Sequence, residues 1–404
     1  MREARPQPSL QLRRRRLRDR LATLLITAGG VGVVVSVLAI GVFLALEVVP
    51  LFLGDDALAV AELWQPQPVE GYAEPQHRWR PEPLAPGDAV YYGLAPLAWG
   101  TLKAALWALL FAVPLALGAA IHSACFMPRR LRTRLKPTLE LMEALPGVVI
   151  GFVAGLVLAP WVERNLPGAL ALLVTLPLGA LVAGGLRTLL PAFLRARLTP
   201  GWAGLWLAPW LLLVGTLTLW LAPAIESELV DGDLRGWLEA TWGLDYASRN
   251  ALVVGLAMGF AVIPGIYSLA EDALSGVPGS LGEGALALGA SRWQTLWKVV
   301  LPAAAPGIFS AVMIGAGRAV GETMIVLMAS GNTALMTLSP LEGLRSLSAT
   351  IAIELPESAV GATHYRLLFL AALLLFAFTF LVNTLAEVVR TRLRHRYHRL
   401  EGKA

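Results

Sequence analysis

Two charged residues stand out because they interrupt an otherwise apolar stretch, roughly Ala305–Ser330. Arg318 and Glu322 are separated there by four positions, so a continuous helix would place both on one face. If the stretch spans a membrane, each charge costs upward of ~2.5 kcal/mol and is expected to face a cavity or a partner. The planar guanidinium of Arg318 matches the oxygens of phosphate or sulfate. With the adjacent Thr323, the pair is a candidate pathway for an oxyanion.

Two roles remain open for Arg318 and Glu322. They could neutralise each other and fix helix packing, as a structural lock. Alternatively, Glu322 holds Arg318 between transport events and releases it when an anion competes for the guanidinium.

A second patterned segment, residues 280–302, predicts a helix, a turn and another helix. Ser280 and Glu283 have the spacing of a capping box, which begins a helix. Gly289 is suited to the left-handed residue that ends it. Pro302 is expected to break the second helix, where the next apolar stretch starts.

The second of these helices would carry Trp293 and Trp297 on one face. A short helix fixed at both ends can insert into a groove of a partner protein. It can equally pack on lipid headgroups, and the helix pattern alone does not separate these roles.

Eight segments have the length and apolarity of membrane-spanning helices, which need about 20 residues each. They are Leu21–Leu46, Ala104–Pro128, Ala144–Val162, Asn165–Leu186, Leu198–Ile225, Asn250–Ala270, Ala305–Ser330 and Leu367–Ala386. The fold class predicted from them is an all-α integral membrane protein.

The distribution of basic residues orients these spans. With a cytoplasmic N-terminus, the loops on the inner side contain 24 of the 33 Lys and Arg residues, as the positive-inside rule requires. Segment 280–302 then lies on the cytoplasmic side, and both termini are cytoplasmic.

Composition excludes several classes of protein. The chain has 404 residues, of which 56% are hydrophobic and 15% charged, so an ordinary cytosolic enzyme is excluded. The basic residues flank apolar segments, which favours membrane lipid over nucleic acid as their partner. One cysteine and five scattered histidines predict neither a metal site nor a cofactor, and the chain has no phosphate-binding loop for nucleotide hydrolysis.

Segment 280–302 resembles the coupling loop of ABC-importer permeases, which reads Glu-Ala-Ala, three residues, Gly, nine residues, Ile, one residue, Leu-Pro. The matching positions are Glu283, Ala285, Gly289, Val299, Leu301 and Pro302. Gly284 replaces the first alanine of the pattern, and Val299 replaces its isoleucine. The resemblance implies that the loop docks into a cytoplasmic ATPase.

Two further segments are similar to phosphate-importer permeases. Gly317–Met324 resembles their Gly-Arg-Ala-x-Gly-Glu-Thr-Met segment, and Glu140–Gly151 resembles the corresponding start of their third span. The resemblance covers about residues 94–388. It implies a type I permease fold that assembles with a second permease, an ATP-binding subunit dimer and a periplasmic phosphate-binding protein.

The predicted organisation follows from these assignments. It comprises a basic cytoplasmic segment 1–20, a first span 21–46, a periplasmic segment 47–97, a transmembrane domain 98–388 with an inserted hairpin at about 165–225, and a basic cytoplasmic tail 389–404. Segment 47–97 is either a small docking surface or a spacer, and we expect a spacer. We expect Lys103 to extend towards the membrane interface, with attraction of an anion as the alternative. Residues 331–363 could dip into the membrane.

The function predicted from the sequence is that of a permease subunit, not an enzyme, which moves inorganic phosphate across the inner membrane while a separate subunit hydrolyses ATP. Two alternatives stay open: an ABC permease for another oxyanion, and a proton-coupled secondary anion transporter in which Glu322 carries the proton.

Overall fold

The computed structural model describes residues 10–53, 60–69, 75–81, 83 and 89–401. Eight helices in these ranges are long and apolar enough to cross a membrane, so the predicted all-α membrane fold is confirmed. Residues 1–9 and 402–404 of the predicted basic termini, and parts of the periplasmic segment, lie outside the described residues.

The helices and strands, in chain order, are α1 (Leu10–Leu53), α2 (Val60–Trp64), β1 (Trp79–Arg80), β2 (Tyr91–Tyr92), α3 (Ala95–Cys125), α4 (Arg129–Glu143), α5 (Gly147–Val153), α6 (Ala159–Arg164), α7 (Leu166–Leu189), α8 (Ala192–Arg197), α9 (Ala203–Val230), α10 (Leu234–Trp242), α11 (Ala251–Ser275), α12 (Gly279–Ala287), α13 (Arg292–Thr295), α14 (Leu301–Gly321), α15 (Met324–Ala329), α16 (Leu347–Glu354) and α17 (Thr363–Glu401). One π-helical turn, Ala154–Leu158, joins α5 to α6. Another, Leu296–Val300, joins α13 to α14.

Helices α3 and α11 pack against each other at the centre of the bundle. One face of α3 carries a buried alanine at every fourth position: Ala104, Ala108, Ala112, Ala116 and Ala120. On the facing side of α11, a Cβ atom added to Gly255 would lie only 2.8 Å from the Cβ of Trp107. Small residues on both helices let the backbones approach closely, which is how apolar membrane helices gain packing energy.

The predicted span Ala305–Ser330 is not a single helix, which corrects the sequence-based expectation. Helix α14 ends at Gly321, and Glu322 has extended backbone angles (φ −68°, ψ 126°). The chain becomes helical again only in α15. The hydropathy pattern did not reveal this break because apolar residues continue on both sides of it.

Helix α15 is held against α5 by two glycines. A Cβ on Gly151 would lie 2.8 Å from the carbonyl oxygen of Met324, and a Cβ on Gly155 would lie 2.6 Å from that of Met328. Only glycine allows the backbone of α5 and of the π-helical turn after it to come this close to α15.

Helices α7 and α9 pair along the segment predicted as an inserted hairpin. The indole Nε1 of Trp210 donates to the carbonyl oxygen of Gly179 at 2.8 Å, and Thr218 Oγ1 donates to Thr175 Oγ1 at 3.0 Å. The rest of the pairing surface is apolar. Polar groups that would be costly in lipid are thus bonded within the hairpin.

The segment predicted as a spacer is packed on the helices where the structure describes it. Strands β1 and β2 pair antiparallel, with Trp79 opposite Tyr92. Trp79 is buried, and its Nε1 donates to Glu354 Oε1 at 3.0 Å. Glu354 also forms an ion pair with Arg345 and lies 2.8 Å from His364 Nε2, within hydrogen-bond distance. This part of the segment is therefore packed on the helices, while its role as a spacer or a docking surface stays a prediction.

Lys103 does not extend to the interface, contrary to expectation. It is 2% exposed, and its Nζ donates to Thr337 Oγ1 at 3.3 Å. Thr337 donates in turn to Glu342. The polypeptide between α15 and α16 covers the beginning of α3 and supplies these groups.

Exchange of Gly151 for alanine tests the close α5–α15 contact. We expect Gly151→Ala to lower the unfolding temperature in detergent, because overpacking costs about 1–3 kcal/mol. The control is Gly184→Ala in α7, where an added Cβ meets nothing within 4 Å and alanine gains up to about 1 kcal/mol of helix propensity. Equal unfolding temperatures for the two variants would contradict the close contact.

Candidate functional site

Arg318 is paired with a residue that the sequence did not suggest. Its Nη1 donates to Glu143 Oε1 at 2.8 Å, at the end of α4. Glu322 does not hold Arg318, because α14 ends between them and the one-turn spacing no longer puts both side chains on one helix face. The predicted Arg318–Glu322 pair is thus replaced by a pair between residues 175 positions apart in sequence.

Glu322 and Thr323 lie at the break between α14 and α15. The carbonyl oxygen of Glu322 accepts a hydrogen bond from Ser348 Oγ at 2.9 Å, which ties the break to α16. A Cβ added to Gly147 would lie 2.9 Å from Glu322 Oε1. Thr323 Oγ1 donates to the Gly321 carbonyl at 3.4 Å. The carboxylates of Glu143 and Glu322 thus both approach the elbow between α4 and α5.

A cavity of about 330 Å³ adjoins Arg318 between α14 and α17. Polar groups on its wall come from Ser310, Arg318, Asn383, Glu387 and Arg390. Arg390 is paired with Glu387 at 3.2 Å. Arg318 therefore has a carboxylate partner and also lines a space whose other polar groups are a second guanidinium with its own carboxylate, a hydroxyl and an amide.

Partial exposure makes the Arg318–Glu143 pair exchangeable. The side chains are 37% and 43% exposed, so the protein encloses neither charge. Guanidinium binds phosphate-type oxygens with the same fork geometry that it uses for a carboxylate. A free oxyanion can therefore compete with Glu143 for Arg318.

The loop between α11 and α14 has the predicted helix–turn–helix form. Gly289, which follows α12, has a left-handed φ of 89°, as predicted. The rings of Trp293 and Trp297 meet edge to face, with centroids 5.6 Å apart. Leu288 at the turn is 92% exposed. The tip of the loop thus presents apolar side chains without partners in the described chain.

Two details of this loop differ from the prediction. Ser280 and Glu283 form no capping box: α12 begins after Pro278, without a side-chain cap. The capping box is at the next helix, where Ser291 Oγ accepts from the Gln294 backbone at 3.2 Å and the Gln294 side chain accepts in return. Glycine at positions 279 and 282 is compatible with a helix that begins before Ser280. The spacing of Ser280 and Glu283 therefore gave the wrong start for α12.

Pro302 does not interrupt the helix, contrary to expectation. It occupies the first turn of α14, where proline needs no backbone donor, and the π-helical turn before it keeps the chain helical. Among the other predicted loop residues, Glu283 is exposed, whereas Ala285, Val299 and Leu301 are half-buried.

Sequence reasoning missed the role of Glu143 as the partner of Arg318. The available signal was its place directly before the Ala-Leu-Pro-Gly elbow, where a carboxylate ends an amphipathic helix and precedes an apolar one. That signal indicates a charge at the edge of a span but does not identify its partner.

Comparison with known proteins places these features in a family. Residues 112–395 match the family model described as "Binding-protein-dependent transport system inner membrane component". The chain is 28% identical over 300 residues to "Phosphate transport system permease protein PstC 1" of Mycobacterium tuberculosis, covering 74% of this chain and 72% of that protein. It is 28% identical over 308 residues to "Phosphate transport system permease protein PstC" of Xylella fastidiosa, covering 76% of each. It is 24% identical over 302 residues to "Probable ABC transporter permease protein YqgH" of Bacillus subtilis, covering 74% and 72%.

Removal of Glu143 distinguishes an exchangeable pair from a structural lock. We expect Glu143→Gln to lower the free energy of unfolding by no more than about 1 kcal/mol, since the pair is partly exposed. Glu354→Gln should cost more, about 2 kcal/mol, because that carboxylate is 13% exposed and accepts charged hydrogen bonds. Chemical unfolding in detergent compares the two. An equal or larger loss for Glu143→Gln would favour the lock.

Proposed function

We propose a function on one premise: the chain belongs to the family of binding-protein-dependent transport system inner membrane components. It is a multi-pass membrane permease and works within an ABC transporter complex. Its function is to carry inorganic phosphate as a subunit of an importer. The observation that carries this proposal is Arg318, bonded to a partly exposed carboxylate beside a cavity that is lined by both polar and apolar side chains.

Arg318 is the group that contacts the anion in transit. Its guanidinium can form two parallel hydrogen bonds to a tetrahedral oxyanion, and Glu143 occupies that position when no anion is present. The Coulomb attraction that draws in the anion also opposes its departure, and the return of Glu143 to Arg318 offsets this. The site therefore binds weakly and in passing, as transport requires.

The carboxylates near Arg318 favour phosphate over sulfate. Near neutral pH phosphate retains at least one proton, which it can donate to a carboxylate such as Glu143 or Glu322. Sulfate has no proton at that pH, so the same carboxylates only repel it. Thr323, beside the break, adds a hydroxyl that can donate to the anion.

The loop from α12 to α13 is the attachment point for an ATP-hydrolysing partner. It exposes Leu288, Trp293 and Trp297 at its tip, and a short apolar helix fits the groove of another protein. The partners are an ATP-binding subunit dimer, a second permease and a periplasmic phosphate-binding protein. The chain lies in the inner membrane with both termini and this loop in the cytoplasm.

Replacement of Arg318 tests the pathway. We expect Arg318→Gln to abolish phosphate uptake into proteoliposomes that contain the complete importer, because a neutral amide cannot stabilise a doubly charged anion in the membrane. The protein should still assemble, since Arg318 is partly exposed. Arg164→Gln, at an exposed arginine whose Nε donates to the Pro160 carbonyl within its own helix, is the control. Normal uptake by an assembled Arg318→Gln complex would refute the proposed role.

A pair of glycine replacements tests the loop. Gly289→Ala forces a non-glycine residue into left-handed angles at a cost of about 1–2 kcal/mol, which is about tenfold in the population of the docked loop. Gly284→Ala, in α12 with nothing within 4 Å of the added Cβ, should leave the loop intact. We expect phosphate-stimulated ATP hydrolysis to fall only in Gly289→Ala; an equal effect of both replacements would contradict the docking role of the turn.

A further inference from the structure

Glu271 in α11 is a fully buried carboxylate to which the transport site gives no role. Its side chain is 0% exposed and forms ion pairs with Arg132 and with Lys136 Nζ, the latter at 3.1 Å. Ser275 Oγ donates to its Oε1 at 3.0 Å. A buried charge is retained only with several partners, and here both cations come from another helix, α4. We call this group the α4 clamp: Arg132, Lys136, Glu271 and Ser275.

The α4 clamp lies on the same face of α4 as the partner of Arg318. Arg132, Lys136, Leu139 and Glu143 recur at intervals of four, three and four residues, which is one face of an α-helix. Leu139 packs against the main apolar core. A Cβ on Gly265 of α11 would lie 3.1 Å from Glu143 Oε1.

Helices α4 and α11 are therefore matched along their length in antiparallel directions. The span from Arg132 to Glu143 is about 16 Å, and that from Gly265 to Ser275 is about 15 Å, at 1.5 Å per residue. The α4 clamp is at one end of this matched region, and the Arg318–Glu143 pair is at the other.

The α4 clamp is also close in sequence to the loop assigned to the ATPase. Helix α11 ends at Ser275, and only Gly276, Val277 and Pro278 separate it from α12. A partner that displaces α12 therefore also displaces the clamped ends of α11 and α4, because only three residues separate α12 from α11.

The two ends of α4 are held with different strength. Glu271 is fully buried, and loss of one partner would leave a charge without compensation. Glu143 and Arg318 are more than a third exposed and exchange easily. Lys136 stays charged at neutral pH: burial lowers its pKa, but hydrogen bonds to Asp272 and Glu271 outweigh that effect and raise it above the usual value. Helix α4 is thus fixed to α11 at one end and releasable at the other.

We propose that Glu271 is a positioning residue, which fixes α4 to α11 so that movement of the α12–α13 loop separates or joins Glu143 and Arg318. The inference rests on the proposed phosphate transport and adds the connection between the ATPase-facing loop and the anion site. Movement of the α12–α13 loop, driven by nucleotide turnover in the ATPase, then determines whether Glu143 or phosphate binds the guanidinium of Arg318.

Glu271→Gln tests the connection in the complete importer reconstituted in proteoliposomes. The amide keeps the shape and the hydrogen bond with Ser275 but removes the charge that attracts Arg132 and Lys136. We expect basal ATP hydrolysis to continue while the number of phosphate ions imported per ATP falls about tenfold, within the usual range for coupling between two sites. Glu271→Asp, which keeps the carboxylate, should recover most of that ratio. A purely structural role would lower the amount of assembled complex without changing the ratio.

Control variants make each outcome decisive. Glu163→Gln removes another interhelical ion pair, with Arg235 at 3.8 Å, and should leave the ratio unchanged. If Glu271→Gln does not assemble, Lys136→Gln, whose side chain is 27% exposed, replaces it. An unchanged ratio in the assembled variant overturns the inference. Failure of the unaltered complex to import phosphate would instead overturn the proposed function.

Discussion

The arrangement depends on one constraint: a guanidinium inside a membrane protein must be paired, and in a permease the pairing must also be reversible. Arg318 meets both conditions through Glu143, which comes from a different helix and is partly exposed to solvent. A partner on the same helix would remain beside Arg318 in every state of the protein. A partner on another helix can be withdrawn when the helices move. The break after Gly321 removes Glu322 from the face of Arg318 and so leaves this role to α4.

Much of the fold could be predicted from the sequence, because the physical signals are local. Apolar length predicts the eight spans, and the register of 280–302 predicts the loop and the left-handed Gly289. The partner of Arg318 could not be predicted, since it lies 175 positions away and no local rule connects the two. The i, i+4 rule gave Arg318 the wrong partner because it assumes a continuous helix. Helix α14 ends at Gly321, and the close contact of α15 with α5 is again non-local. The prediction for Lys103 was wrong for a similar reason. The segment that covers Lys103, which contains Thr337, comes more than 200 residues later in the chain.

Glu271 and Glu143 have different roles because their side chains are exposed to different extents. Glu271 is sealed from solvent and surrounded by donors, so it holds helices together. Glu143 is 43% exposed and holds Arg318 only in the absence of a competitor. The same chemical group thus serves as a fixed joint or as an exchangeable ligand, and the difference is set by how far the protein encloses it. Gly265 matters here because its missing side chain leaves room for Glu143.

The ion-pair network around Glu354 has a consequence for where this protein can be divided. The family match begins at residue 112, which invites truncation near that point. Yet Trp79 donates to Glu354, and Phe43 of α1 stacks edge to face on Phe369 of α17 with ring centroids 5.9 Å apart. Excision of the N-terminal residues would uncover this carboxylate and the apolar side of α17. The start of the family match is therefore not a boundary of packing, because described residues that precede it, such as Phe43 and Trp79, contact the helices of the transport domain.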